Sequence, residues 1–236
     1  MVSLLLLWSL RCWAGAADDL ALASARDLPE AQRMAAFERL VSLGATDLGE
    51  VLRVSVDPNA DARLRWVAVR VLGQVGGPQS LSTLLSVLKD DMPAMRVAAA
   101  NALGDLGDAT AVPPLIEALA DPALLVRGAA ADALGLLGDR RAVSPLGRAM
   151  DARDVYQRGT SLWVRRHYVD ALGRIGDRAA LPTLLRALDD RDPSVAEAAV
   201  AAMEAVAGFS LAEGRSPDEE REAWRRWASA EIKAGI

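Results

Sequence analysis

Apolar residues recur three and four apart over short stretches, with polar residues between them. Val97, Ala100, Leu103 and Leu106 form one such set; Leu115, Ile116 and Leu119 form another. That spacing predicts helices with one buried face. The first set stops at Gly107, a residue able to take the left-handed conformation that ends a helix. Asp108 and a short turn follow. Pro113-Pro114 then suits the first turn of a second helix, where a missing N–H is harmless. The second set ends near Asp121-Pro122. The pattern therefore predicts a helix pair, each member roughly a dozen residues long.

The pair recurs along the chain. Arg-x6-Leu-Gly-x2-Gly begins at Arg65, Arg96, Arg127 and Arg165, with its leucines at 72, 103, 134 and 172. A degenerate copy begins at Arg33, with Val41 in place of the first glycine. Another runs Ala196 to Met203, with Glu204 and Ala207 replacing both glycines. The anchors Leu40, Leu72, Leu103, Leu134, Leu172 and Met203 are 32, 31, 31, 38 and 31 residues apart. Single helix pairs of this size cannot bury their own apolar faces, so stacking on neighbours must complete the core.

This pattern resembles the HEAT repeat family, in particular its short subtype first named from phycobilin lyases. The residues that carry the resemblance are Val126-Arg127 and Val164-Arg165, the Ala-Leu-Gly runs at 102–104, 133–135 and 171–173, and Gly-Asp at 107–108, 138–139 and 176–177. The second helix matches through 111–115 and 180–184. The resemblance covers roughly residues 27–208. It implies an all-α fold, a right-handed α-α superhelix of about six two-helix repeats. It also implies an Asp–Arg ladder between neighbouring units, here Asp27, Arg33, Arg65, Asp90, Arg96, Asp121, Arg127 and Arg165. Such a ladder fixes stacking and satisfies helix N-termini. The subtype's name raises a lyase-like or other enzyme as the alternative to a binding module, because one fold hosts unrelated functions.

Composition agrees with thin helices in a repeat: of 236 residues, 52% are hydrophobic and only 4% aromatic. The net charge is −5, from 27 basic and 32 acidic side chains, which argues against a general nucleic-acid binder. One Cys excludes a disulfide framework, and one His excludes a histidine cluster for a metal. The repeated His-Glu pairs of HEAT-like di-iron hydroxylases are absent, as are clustered Cys, a Gly-x-Ser-x-Gly elbow and a P-loop. No metal, no cofactor and no catalytic residue is expected.

Residues 1–16 read as a signal peptide. The apolar run Met1–Leu10 is too short to span a bilayer, and Ala14-x-Ala16 suits a signal peptidase. Cleavage after Ala16 would place the protein in the periplasm or outside the cell and leave no Cys. A lipid anchor on Cys12 is the lesser alternative, because Arg11 stands where a small residue is wanted. Arg outnumbers Lys by 25 to 2, which suggests a GC-rich bacterial genome. The mature chain would then comprise the repeat array 17–208, a linker 209–216 and a capping helix 217–236. Ser216, Pro217 and Glu219 start that last helix with a capping box. Trp224 and Trp227 share one of its faces and suit a cover for the open end of the array.

The period breaks once. Between Leu134 and Leu172 lie seven extra residues, within 151–164, predicted as a loop. Tyr156 and Trp163 fall there, with Arg153, Arg158, Arg165, Arg166 and His167 in or beside it. Residues 17–120 carry 9 basic and 14 acidic side chains, 121–190 carry 11 and 9, and 191–236 carry 6 and 9. The middle is thus a positive zone in an acidic protein. The second-helix column that should line the concave face reads Arg53, Ser86, Glu117, Arg148 and Arg186. Aromatic residues with Arg are enriched where binding energy concentrates. The candidate partner-binding residues are therefore Arg148, Tyr156, Arg158, Trp163, Arg166 and Arg186. The expected role is a non-catalytic protein-interaction or scaffold module of the bacterial envelope. The expected partner is a protein, and an acidic one suits the positive zone. Neither nucleic acid nor a membrane span is expected, and the protein is expected to be a monomer.

Overall fold

The computed structural model of the protein describes residues 15–44, 48–157 and 160–235. Thirteen α-helices occur among the described residues, in two units, 1–106 and 107–236. The first unit holds α1 (Ala16–Ser24), α2 (Glu30–Ser42), α3 (Gly49–Val56), α4 (Ala62–Val75), α5 (Gly77–Val87) and α6 (Pro93–Leu106). The second holds α7 (Val112–Ala118), α8 (Leu124–Leu137), α9 (Val143–Met150), α10 (Val164–Ile175), α11 (Leu181–Ala187), α12 (Pro193–Ala207) and α13 (Pro217–Lys233). The apolar run 1–10, Cys12 and Ala14 lie outside the described residues. No helix among the described residues is long and apolar enough to cross a membrane.

The core is aliphatic and follows the helical period. In α6, Met95, Ala99, Leu103 and their neighbours are buried; in α8, Val126, Ala130 and Leu134 are. The two glycines of the repeat have different tasks. The second ends the helix: Gly138 and Gly176 take left-handed backbone at φ 65° and 69°. The first sits mid-helix, not at a terminus. A Cβ on Gly173 would lie 2.8 Å from the Ala202 backbone, and one on Gly73 would lie 2.8 Å from the Ala202-equivalent Ala102 side chain. These glycines let successive first helices (α4 on α6, α8 on α10, α10 on α12) pack backbone to backbone.

The second helices of residues 107–236 are shorter than the dozen residues predicted. α7, α9 and α11 span 7, 8 and 7 residues. Each is preceded by a 3-10 turn, at Ala109–Ala111, Arg140–Ala142 and Arg178–Ala180. The Asp of each Gly-Asp pair makes that turn. Asp108, Asp139 and Asp177 each accept the backbone N–H two residues on, at 2.8 Å. The hydrogen bond from Thr110 N–H holds the Asp108 carboxyl below its ordinary range. For Asp139 the Arg141 guanidinium is the first cause of the same downward shift.

The inserted segment is not a plain loop. A 3-10 turn at Arg153–Val155 leads into a two-residue antiparallel ladder, β1 (Tyr156–Gln157) against β2 (Thr160–Ser161). Val155 is fully buried and roots it, and its carbonyl accepts from Leu162 N–H at 2.9 Å. At the other end of the second unit, α13 begins as the sequence predicts. Ser216 accepts from Glu219 N–H, and Glu219 accepts in return. α13 lies against α11 and α12. Trp224 is fully buried in a three-ring cluster with Trp227 and Phe209, their centroids 5.3 to 5.6 Å apart. Phe209, at the start of the supposed linker, is thus part of the packing.

Candidate protein-binding surface

The surface is built on an aspartate–arginine ladder. In the first unit, buried Arg65 pairs with Asp90, 25 residues on, and donates to the Ser55 carbonyl. In the second, Arg165 pairs with Asp190 at 2.5 Å, again 25 residues on, and donates to the Met150 carbonyl at 2.8 Å. Each aspartate divides its oxygens between two tasks. One oxygen of Asp90 and of Asp190 takes the arginine, while the other accepts a backbone N–H in its own turn at 2.9 Å. Towards the arginine six residues on, Asp90 and Asp121 also act through their backbone carbonyls. Arg96 reaches the Asp90 carbonyl at 2.8 Å, and Arg127 the Asp121 carbonyl at 2.5 Å.

Asp27 and Arg33 do not repeat this arrangement. The Arg33 Nε is buried without a hydrogen-bond partner among the described residues. The N-terminal ion pair joins other residues: Asp19 of α1, nearly buried, accepts from Arg39 of α2 at 2.5 Å. No repeat pattern marks Asp19 in the sequence. Burial of an acidic residue there became visible only through packing.

Of the predicted binding residues, Tyr156 and Arg186 come together in one cleft of about 390 Å³ with Asp151, Arg165, Asp189, Asp190 and Arg191. The Tyr156 ring lies over the Arg165 guanidinium, 4.1 Å from its centre, and so shields the ladder pair from water. Arg186 donates to Asp151 at 2.8 Å and to the Pro182 carbonyl at 2.9 Å. Arg148 lines the next groove, between α7 and α9, of about 300 Å³. Ile116, Leu119, Ala120, Pro145, Ala149 and Ala152 line it too, with Arg127 and Asp154. Arg158 lies outside the described residues.

Trp163 and Arg166 face another way. The exposed strip of α10 carries Arg166, His167, Asp170 and Arg174, with Trp163 at its head, whereas Arg165, Tyr168 and Leu172 face inward. Trp163 packs on α8 where Gly128 leaves room: a Cβ there would meet the indole at 3.1 Å. It also meets His167 edge-on at 5.2 Å. Arg166 lies 3.6 Å from Asp170. The described members of the group therefore do not form one patch, because a helix turns successive residues by about 100°, which leaves Arg165 buried and Arg166 exposed.

One pairing was missed altogether. His167 Nδ1 lies 2.9 Å from Asp132 of α8, and this hydrogen bond raises the His167 pKa against partial burial. The two residues are 35 apart, a first-helix to first-helix step lengthened by the insertion. No group of three or more His, Cys, Asp or Glu suited to a metal occurs among the described residues.

The model for HEAT repeats matches residues 48–134, 82–162 and 153–215. The chain belongs to the HEAT repeat family. Solved structures agree on the fold of this HEAT protein. The archaeal HEAT-like repeats protein from Thermococcus onnurineus NA1 is 13% identical, with 92% of this chain and 98% of that one covered, at a TM-score of 0.53. A designed armadillo repeat protein in complex with the peptide (KR)4 is 18% identical, with 82% and 100% covered, at 0.52. An engineered protein is 19% identical, with 82% and 89% covered, at 0.55. At such identities the likeness is one of fold: an all-α solenoid of the HEAT and armadillo type. No curated protein matches the chain.

Proposed function

We propose that this HEAT protein is a non-catalytic binding module that holds a protein segment along the second-helix edge of residues 107–236. The observation that carries the reading is the pair of adjoining recesses there. One is the cleft of Tyr156 and Arg186, and the other the groove of Arg148. Both lie on consecutive second helices, α9 contributing to each, and the inserted hairpin contributes Tyr156. A solenoid that presents recesses at regular steps suits an extended ligand. The armadillo-type structure with a bound peptide supports the same use of the fold.

The location is part of the proposal. The apolar start and the Ala14-x-Ala16 site favour export to the bacterial periplasm or beyond. Cleavage after Ala16 would leave Asp19 and its pairing with Arg39 in the mature protein. The protein acts there as a monomer in this reading.

The test is affinity capture from the native envelope fraction, read by mass spectrometry. Wild-type protein is expected to retain a partner that Tyr156→Ala combined with Arg186→Glu releases. Capture unchanged by that pair removes this surface from consideration. A chromophore bound to the purified protein, seen by absorbance and mass, would instead favour the lyase-like alternative.

A further inference from the structure

We infer that the groove between α7 and α9 is an anchor for an acidic residue of an extended peptide, with Arg148 as the carboxylate clamp. The inference rests on the proposed binding role and names the chemistry of the ligand. Its starting point is a difference among the arginines of this edge. Arg127, Arg165 and Arg186 each hold a carboxylate, from Asp154, Asp190 and Asp151. Arg148 donates only to a neutral group, the Ser144 hydroxyl at 2.8 Å, and holds no carboxylate among the described residues. Ser144 stands one helical turn before it on α9, so the bond lays the arginine along the helix, beside the groove. The guanidinium keeps most of its five donors available, in the fork geometry that fits a carboxylate.

Apart from Arg148 and the Arg127–Asp154 pair, the lining is aliphatic. Ile116, Leu119, Ala120, Pro145, Ala149 and Ala152 offer no hydrogen-bonding side chain. At about 300 Å³ the space is at the small end for a ligand pocket and suits one or two side chains. A matching ligand has a carboxylate at the mouth and an aliphatic side chain beside it. An internal segment fits better than a chain terminus. The cleft of Tyr156 and Arg186 lies on the other side of α9, so a ligand filling both must continue past Arg148. Of the charged residues lining the groove, Arg127 and Asp154 pair with each other, so Arg148 sets the sign it presents, and a basic segment is disfavoured.

Fluorescence anisotropy with the full chain tests this. The probe is a labelled octapeptide, blocked at both ends, with Leu-Glu-Leu at its centre; a second probe carries Gln for Glu. Wild-type protein is expected to bind the Glu peptide at least tenfold more tightly, consistent with a charge-assisted bond. Arg148→Met is expected to abolish that preference while leaving Gln-peptide binding and the thermal transition unchanged. Three outcomes overturn the inference: no binding of either peptide by the wild type, an equal preference in the variant, or stronger binding of a Gln peptide with a free C-terminal carboxylate. The last would make the groove a site for chain ends. Envelope capture separates this from the broader reading. Loss with the Tyr156 and Arg186 substitutions but not with Arg148→Met would leave the module's role standing and sink the anchor.

Discussion

Arg127 donates to Asp154 at 2.7 Å, in the role that aspartates 25 positions on fill for Arg65 and Arg165. Position 152, where the period would place that carboxylate, is an alanine. The 3-10 turn at 153–155 brings Asp154 back to the arginine, so the insertion leaves the ladder unbroken.

Removal of Asp154 should therefore matter more than its 59% exposure suggests, because Arg127 is only 12% exposed and would be left without its carboxylate. Asp154→Ala is expected to lower stability by about 1–2 kcal/mol in urea unfolding, between exposed and buried pairs. Asp218→Ala, which breaks an exposed pair with Arg221, should cost no more than about 0.5 kcal/mol. Equal effects would show that Asp154 is an ordinary surface charge.

The mid-helix glycines invite a sharper test, because helix propensity and packing pull in opposite directions. Gly→Ala in a free helix gains about 1 kcal/mol. At Gly173 the new methyl would meet the Ala202 backbone at 2.8 Å, which neither helix can yield without moving apart. Gly173→Ala is expected to destabilise by roughly 1–3 kcal/mol, as overpacking does. Gly138→Ala has nothing near its Cβ and should lose about 1 kcal/mol through its backbone alone, at φ 65°. Thermal unfolding of the two variants separates the causes. A stabilised Gly173→Ala would mean that α10 and α12 do not touch there.

The helix pairs, their anchors and the capping box were legible because each rests on local spacing or a local hydrogen bond. Gly208 shows the limit of that reading. It ends α12 with φ 78°, one residue beyond the repeat position where Ala207 stands, so a strict register hid it. The grouping of Trp163 and Arg166 with Tyr156 and Arg186 failed for a related cause. Residues close in sequence share composition but not direction, and the start of α10 divides them. The Asp132–His167 pair was illegible because its two members come from different repeats. Asp154 was illegible as a ladder residue because the insertion shifts it from its periodic place.

His167 should make stability depend on pH in a stated direction. The Asp132 hydrogen bond raises its pKa in the folded state, helped by the charges of Asp132 and Asp170 and opposed by burial and Arg166. Protonation therefore favours folding. The contribution is complete below the unfolded pKa of about 6.5 and disappears as pH rises through the folded value. His167→Gln should lie furthest below wild type in melting temperature near pH 5.5, and the gap should narrow towards pH 9. A gap that widens with pH would mean that the histidine is held neutral. The same substitution loosens one edge of the Trp163 ring, so indole fluorescence should shift in step.

Trp224 and Trp227 decide whether the C-terminal helix is a cover or a docking face. Trp224 is fully buried, stacked on Phe209 at 5.6 Å with its ring planes 20° apart. Arg178–Glu231 at 2.6 Å and Arg225–Asp189 at 2.5 Å tie the outer side of α13 to the array. A cover loses stability when its buried ring is cut away. Trp224→Ala is expected to cost about 3–5 kcal/mol, the range for large aromatic side chains in a core. Phe209→Ala, partly exposed, should cost less but in the same direction, and the two losses should not add, because they share a contact. A docking face predicts the reverse order: small effects on stability and a large one on partner capture. Urea unfolding of both variants and their double mutant, beside the envelope capture, tells the two apart.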